Sequence, residues 1–195
     1  MAFELSSRML FCDWHMPNFL PEIRINYDEY FEQIQRTGAQ TLIFMAKTAH
    51  GTCLFPSEVG FTNQTMQGDL FGEIVHRAQA LGLQLIAYYN MVLSWELQRT
   101  HPQWQQQDRA GKPVRMFMYP AFCMSNPEFT DHVSAHIEEI ARKYPVDGFF
   151  LDLQYFAPEA CFCPSCRAGF AAMFGYDLDP DGFSTAQWLD FYTYQ

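Results

Sequence analysis

Val146-Asp147-Gly148-Phe149-Phe150-Leu151-Asp152-Leu153-Gln154-Tyr155 is the stretch around which the chain is organised. It opens with a turn signal, Pro145 to Gly148, and continues as an apolar run that is rich in aromatic residues and too short for a buried helix. Such a run predicts a buried strand. The strand ends in a carboxylate, Asp152, and a buried strand seldom carries an acid without a partner or a task. Three thiols follow within the segment Cys161 to Cys166.

Composition bounds the class of protein. The 195 residues suffice for one domain with a sizeable core, and the charged fraction of 17% lies below the usual value of about 25%. The formal net charge of -10, without basic clusters, argues against partners such as nucleic acid or anionic membranes. No run of 18 apolar residues and no signal-peptide pattern occur, so we expect a cytoplasmic protein. The aromatic share of 17% fits either a packed core or the walls of a sugar cleft.

Strand and helix patterns alternate along the chain. Apolar runs with turn signals on both sides predict strands, and apolar residues that recur at helical spacing predict helices. The predicted strands are Met9–Cys12, Thr41–Met45, Gln84–Tyr89 and Phe149–Leu153. The predicted helices are Tyr27–Thr37, Leu70–Leu81, Pro127–Tyr144, Cys163–Phe174 and a last one from Ser184 onward.

This order predicts an α/β protein with a parallel sheet. Long loops after the strands and short loops after the helices are typical of a (β/α)₈ TIM barrel, whose chemistry lies at the carboxyl ends of the strands. A doubly wound open sheet is the alternative, but no glycine-rich phosphate loop follows the first strand.

A complete barrel takes about 250 residues, whereas the sequence contains four βα units. We therefore expect residues 1–195 to be the N-terminal half of a larger barrel, with full activity requiring residues beyond 195. Half a barrel leaves strand edges uncovered, so we also expect it to associate into homo-oligomers.

The cysteines predict a metal site. In a cytoplasmic protein, six cysteines suggest a metal site rather than disulfides. Cys161, Cys163 and Cys166 are close enough in sequence to bind one metal ion, and tetrahedral zinc takes a fourth ligand. Cys123, in the loop after the third strand, is the best candidate for it. Free thiols, or a redox pair at Cys163 and Cys166, are the alternatives.

Cys123, the segment Cys161 to Cys166 and the following Phe170 and Phe174-Gly175-Tyr176 resemble the zinc-site region of barrel β-galactosidases. The segment Ala46 to Ser57 resembles the strand-two loop of α-L-fucosidases, and Tyr89-Asn90 with Trp95 is similar to their strand-three loop. As a whole, the chain most resembles the hypothetical glycosyl hydrolase 6 family.

The resemblance implies a glycosidase that acts on O-glycosidic bonds of a carbohydrate, contains structural zinc and has Asp152 as the nucleophile of a retaining mechanism. The implied substrate-binding residues follow the strands: Trp14, His15, Lys47, His50, Tyr89, Asn90 and Gln154. For His15 and His50 a structural hydrogen bond is an alternative role, and for Lys47 an ion pair with a buried acid.

The chain also departs from both families. Gln154 stands where the β-galactosidases have the glutamate that acts as acid and base, and Thr48 and Ala49 replace the paired histidines of the fucosidases. The particular sugar therefore stays open. We expect the partner acid beyond Gln195, with Glu159 as a weaker local candidate. A non-catalytic, zinc-stabilised barrel that binds carbohydrate or serves assembly is the alternative function.

Overall fold

The computed structural model describes residues 6–19, 22–158 and 160–195. Its elements, in chain order, are β1 (Met9–Cys12), α1 (Tyr27–Thr37), β2 (Thr41–Lys47), β3 (Thr52–Cys53), β4 (Phe61–Thr62), α2 (Leu70–Ala80), β5 (Gln84–Asn90), α3 (Trp95–Thr100), a 3₁₀ helix (Pro102–Trp104), β6 (Arg115–Met116), β7 (Tyr119–Pro120), α4 (Pro127–Lys143), β8 (Gly148–Asp152), α5 (Pro164–Phe174) and α6 (Thr185–Tyr194).

The chain divides into two compact units. The first contains the residues up to Met91 together with Ser134–Asp152, and the second contains Val92–Val133 and Leu153–Gln195.

A parallel sheet forms the centre of the first unit. Its strands pair in the order β1-β2-β5-β8, which follows the chain without the reversal that marks a doubly wound sheet. The short strand β3 adds antiparallel to the end of β2, and β4 pairs parallel to β3. The predicted α/β fold with a parallel sheet is therefore confirmed. Closure into a (β/α)₈ barrel, and the interpretation of the chain as half of one, stay predictions.

The two faces of this sheet differ. On one face Leu42, Phe44, Leu85 and Ala87 are fully buried, and α2 packs against β2 and β5. The other face carries aromatic rings that stack on one another: the ring of Tyr88 lies 5.3 Å from that of Phe11 and 5.7 Å from that of Phe150.

The sheet is strongly curved about this aromatic face. Phe11 on β1 and Phe150 on β8 have ring centroids only 6.0 Å apart, although β2 and β5 lie between their strands. In a flat sheet three strand spacings would separate them by about 14 Å. The stacked rings lie on the concave side of this curvature.

Local signals set the helix boundaries. The side chain of Asn26 accepts a hydrogen bond from the backbone N–H of Glu29 and caps α1, and Gly38 ends α1 in the left-handed conformation with φ of 69°, which favours glycine. Asp69 caps α2 in the same way through the N–H of Gly72. The predicted span of α1 is confirmed.

The strands β6 and β7 of the second unit span two residues each. Ser94 caps α3 through the N–H of Leu97, and the backbone N–H of Asp108 donates to the carbonyl of Lys112 in a turn. Phe162 and Phe191 stack in its core with ring centroids 5.0 Å apart. In the parts of the chain that the structure describes, no helix combines the length and apolarity needed to cross a membrane.

Candidate active site and cysteine cluster

Asp152 lies at the carboxyl end of β8, half-buried. The hydroxyl group of Tyr88 donates a hydrogen bond of 2.5 Å to Asp152 Oδ2, and the amide of Asn90 donates to the Tyr88 oxygen at 3.3 Å. Burial, followed by the bond to Asp152, raises the pKa of Tyr88 well above its usual range. Tyr88 therefore acts as a donor, and it fixes the orientation of the carboxylate.

His15 follows β1 and forms a second polar group at the same ends of the strands. Its Nδ1 accepts the backbone N–H of Ala49 at 2.9 Å, and its Nε2 lies 3.3 Å from Asp13 Oδ1. Burial lowers the pKa of His15, and the charges of Asp13 and Asp152 oppose this shift. Because Nδ1 accepts a bond, the neutral ring carries its proton on Nε2, the nitrogen next to Asp13.

Lys47 and Tyr89 point away from Asp152. A register shift in the β2–β5 pairing between Met45 and Lys47 aligns Lys47 with Tyr89. The Lys47 ammonium lies 5.1 Å from the Tyr89 ring centroid and donates to the Asn90 carbonyl at 2.6 Å. Burial lowers the pKa of Lys47 to about 8. The hydroxyl of Tyr89 bonds His136 Nδ1 at 3.0 Å, and Tyr89 is fully buried.

A buried polar network joins α4 to the segment after β2. His136 Nε2 contacts the Cys53 sulfur at 3.1 Å and the Ser57 hydroxyl at 3.4 Å. Glu139 accepts the Ser57 hydroxyl at 2.6 Å and the backbone N–H of Glu58 at 2.7 Å. A Cβ atom on Gly60 would lie 2.4 Å from His136 Cε1, so the close approach of segment and helix requires glycine there.

The other predicted substrate-binding residues are placed as follows. Trp14 packs edge-on against Phe44 at 5.3 Å. His50 is partly buried, and burial, followed by the charge of His15, lowers its pKa. Gln154 is exposed and belongs to the second unit. Glu159, the weaker candidate for the partner acid, lies outside the described residues.

Asp13 and Tyr88 are functional candidates that the sequence analysis missed. Both lie beside predicted positions, at the ends of β1 and β5. The alternation of side chains along β5 could have identified Tyr88, since Tyr88 and Asn90 are two residues apart. In the structure Tyr88 pairs with Phe150, and Asn90 pairs with Asp152. Residues in register on neighbouring parallel strands share a face, so Tyr88, and not Tyr89, lies on the face of the carboxylate.

Four cysteines meet in the second unit. The sulfur atoms of Cys123, Cys161, Cys163 and Cys166 all lie within 4.8 Å of one another, and all four residues are buried. The Cys123 sulfur is 3.4 Å from that of Cys166 and 3.6 Å from that of Cys163. Hydrogen bonds from Cys123, Cys161 and Cys166 lower the pKa of Cys163.

This donor set fits a metal ion. Zn–S bonds of about 2.3 Å in tetrahedral geometry place sulfur atoms roughly 3.8 Å apart, close to the separations in the cluster. Thiolate sulfur is a ligand that soft or borderline metal ions prefer. The cluster could therefore hold a metal ion, with four protein ligands and no open coordination position.

A comparison with known protein families identifies the family of this chain. The pattern described as hypothetical glycosyl hydrolase 6 matches residues 26–153, which include β2, β5, β8 and Asp152. The chain belongs to the hypothetical glycosyl hydrolase 6 family. The resemblance noted from the sequence is confirmed, and the glycosyl hydrolase family assignment agrees with the parallel sheet.

Solved structures of two enzymes are similar to this member of the glycosyl hydrolase family. The α-L-fucosidase isoenzyme 2 from Paenibacillus thiaminolyticus is 26% identical with a TM-score of 0.79, over 97% of this chain and 28% of the fucosidase. A β-galactosidase from Rahnella sp. R3 shares the fold at 18% identity and a TM-score of 0.58, over 84% of this chain and 24% of the galactosidase. The chain thus spans about a quarter of the length of these enzymes.

A hypothetical protein from Ruminiclostridium thermocellum also shares the fold, at 11% identity and a TM-score of 0.58, over 86% of this chain and 80% of that protein. A search of curated proteins gives no match to this family member.

Proposed function

We propose that the protein is a retaining glycoside hydrolase, with Asp152 as the nucleophile that attacks an O-glycosidic bond. One observation carries the proposal: the Tyr88–Asp152 hydrogen bond of 2.5 Å at the carboxyl end of a parallel strand, in a chain of a glycosyl hydrolase family. Catalytic residues of barrel enzymes lie at these strand ends. The fold shared with the fucosidase and the β-galactosidase supports the proposal.

In this mechanism an Asp152 oxygen attacks the anomeric carbon while the bond to the leaving oxygen breaks and a second carboxylic acid protonates that oxygen. Water then displaces Asp152 and gives its proton to the same second group. Tyr88 holds the nucleophile in orientation. We propose that the second acid lies on a barrel strand that these 195 residues do not include.

The substrate proposed is a carbohydrate of the fucoside or galactoside type. His50 is proposed to contact its hydroxyl groups directly, and exposed Gln154 is a further candidate. His15, whose two ring nitrogens contact the Ala49 N–H and Asp13, is proposed to act on the sugar through Asp13. Asn90 acts through Tyr88, to which it donates. Trp14, Lys47 and Tyr89 support the site by packing and hydrogen bonding beneath it, since each contacts buried neighbours.

The proposal includes one structural zinc ion at Cys123, Cys161, Cys163 and Cys166. Four thiolates prefer zinc among common biological cations and leave no position for a reactive water. The chemistry of the ion is therefore confined to holding the loop before α5 against the loop of Cys123.

A non-catalytic, zinc-stabilised barrel that binds carbohydrate or serves assembly is the second candidate. The amide of Gln154 favours it, because an amide cannot donate a proton as a carboxylic acid does.

The test is hydrolysis of 4-nitrophenyl α-L-fucoside and β-D-galactoside by the full-length protein. We expect Asp152→Asn to retain folding but to lower kcat by a factor on the order of 10⁴, as removal of a catalytic nucleophile does. Azide should then restore part of the turnover, and the first product seen by proton NMR should keep the anomeric configuration of the substrate.

Asp131→Asn is the matched control, because Asp131 is exposed on α4 and its change alters net charge equally. Near-full activity of Asp152→Asn would show that the nucleophile lies elsewhere. Sugar binding without turnover in the wild-type protein would support the non-catalytic alternative.

A further inference from the structure

Asp13 is a second carboxylate that acts on the same two groups as Asp152, His15 and Tyr88. Phe11 and Phe150 face each other at 6.0 Å on the concave face. Asp13 comes two residues after Phe11, and Asp152 comes two residues after Phe150. Asp152 ends β8 on the face of Phe150, because side chains of a strand return to the same face every second residue. Asp13 directly follows β1, and both carboxylates act electrostatically on Tyr88, whose ring stacks on Phe11 and Phe150.

A close contact with His15 orients Asp13 while most of its side chain stays exposed. His15 Nε2 lies 3.3 Å from Asp13 Oδ1, and the Asp13 side chain is 63% exposed. The backbone N–H of Ala49 holds the other nitrogen of His15, so the ring cannot turn without losing that bond.

The charged groups around this position give it a negative field. Asp13 and Asp152 both act on His15 and on Tyr88. Burial keeps His15 and His50 from gaining charge readily, and the Lys47 ammonium is buried and directed to the Asn90 carbonyl. Two carboxylates that act on one site repel anionic ligands.

We propose that Asp13, oriented by His15, binds two neighbouring hydroxyl groups of the sugar held at Asp152, and that the site thereby selects neutral sugars over acidic ones. This inference rests on the proposed glycosidase function. A carboxylate offers two oxygen acceptors in one plane, which match the two O–H donors of a vicinal diol. In this proposal Asp13 accepts the bonds from the sugar hydroxyl groups.

The experiment measures binding of free sugars to the full-length protein by calorimetry. The probes are L-fucose, D-galactose, their analogues lacking one ring hydroxyl, and D-galacturonate. We expect loss of either hydroxyl of one adjacent pair to weaken binding about tenfold or more, the value of a hydrogen bond to a charged group. D-galacturonate should bind at least tenfold more weakly than D-galactose.

In Asp13→Asn both preferences should shrink toward a factor of one, because the amide keeps one acceptor and carries no charge. Asp131→Asn, the same change on an exposed helix position, should leave both preferences as in the wild type. Thermal melts followed by circular dichroism check that each variant is folded. We expect Asp13→Asn to fold, because the Asp13 side chain is largely exposed.

The outcomes separate the two proposals. If neutral sugars bind but Asp13→Asn keeps the wild-type preferences, the role of Asp13 is overturned and the glycosidase proposal stands. Equal binding of D-galacturonate and D-galactose by the wild type overturns the selection of neutral sugars. If none of the neutral sugars binds, the proposed function falls, and this inference falls with it.

Discussion

Tyr88 and Tyr89 are neighbours in sequence with opposite surroundings. Their side chains leave β5 on opposite faces, as the pleat of a strand dictates. The Tyr88 hydroxyl donates to Asp152, whereas the Tyr89 hydroxyl bonds His136 beneath the sheet. Because the two tyrosines are one position apart on the strand, Tyr88 contacts the carboxylate and Tyr89 packs in the core.

Lys47 gives a prediction about stability and pH. Its pKa is about 8 in the folded protein, because burial disfavours the charged form, compared with 10.5 for an unperturbed lysine. Between these two pH values the unfolded chain binds more protons than the folded protein, so the free energy of unfolding rises with pH. Relative to Lys47→Met, we expect the wild type to gain about 3 kcal/mol from pH 8 to pH 10.5.

Urea unfolding of both proteins at several pH values between 7 and 10.5 measures this difference. Comparing the two removes the contributions of groups that titrate in both, such as the tyrosines. A difference that stays constant, or that falls with pH, would contradict the burial of a charged Lys47.

At the scale of elements, α4 positions the segment that follows β2. Glu139 on the helix accepts bonds from Ser57 and from the backbone of Glu58 and pairs with Lys143 at 2.7 Å. Ala49, whose N–H holds His15, belongs to the stretch between β2 and β3. The helix therefore contributes to the site indirectly, by fixing the path of the chain that orients His15.

Glu139→Gln tests this role of α4. Burial alone would raise the pKa of Glu139, but the Glu58 N–H, Lys143 and Ser57 together hold it at about 2. At pH 7 we expect the variant to lose about 1 to 3 kcal/mol, because buried donors lose a charged acceptor. The wild type gains stability from this carboxylate above the ordinary pKa of 4.5 and loses it as pH falls toward 2.

Chemical unfolding from pH 7 down to pH 2.5 should therefore show the two proteins converging. Glu138→Gln is the control, since its neighbour Glu138 is exposed on the same helix. Equal pH dependence of wild type and Glu139→Gln would contradict the network.

Sequence patterns predicted the long elements because each has local causes. Asn26 and Gly38 mark the ends of α1, and the apolar runs mark β2, β5 and β8. The short pieces β3, β4 and α3 were not predicted, since their few residues depend on tertiary contacts. The irregular register before Lys47, which turns this side chain toward Tyr89, leaves no local signal, and it explains why the face of Lys47 could not be predicted.

The grouping of the candidate site depended on curvature. Asp13 and Asp152 lie 139 positions apart in sequence numbering, and only the curl of the sheet brings the columns of Phe11 and Phe150 to 6.0 Å. Spacing in sequence carries no measure of curvature. The cysteines differ in this respect, because the short span from Cys161 to Cys166 limits their separation directly.

At the scale of the whole molecule, the parallel sheet and the cysteine cluster belong to different units. The first unit buries a continuous apolar sheet face under helices, which stabilises it. In the second unit the named strands β6 and β7 span two residues each, so no extended sheet supports the described part of its core. A small core of this kind gains much of its stability from a metal ion or disulfides.

Metal removal should therefore loosen the second unit selectively. We expect the full-length protein, purified without a metal-binding tag, to contain about one equivalent of zinc. Cys166→Ser should reduce this below about a tenth of an equivalent and lower Tm by roughly 10 °C, as a loss of about 3 kcal/mol does in a protein of this size. Hydrogen exchange should rise in α5 and around Cys123 but stay slow in β2 and β5, because local stability follows local contacts.

Cys12→Ser, at a partly buried cysteine of the first unit, should keep its zinc and its exchange pattern. Zinc retained in Cys166→Ser, or faster exchange spread evenly over β2, β5 and α5, would show that the cluster is not the metal site of the second unit.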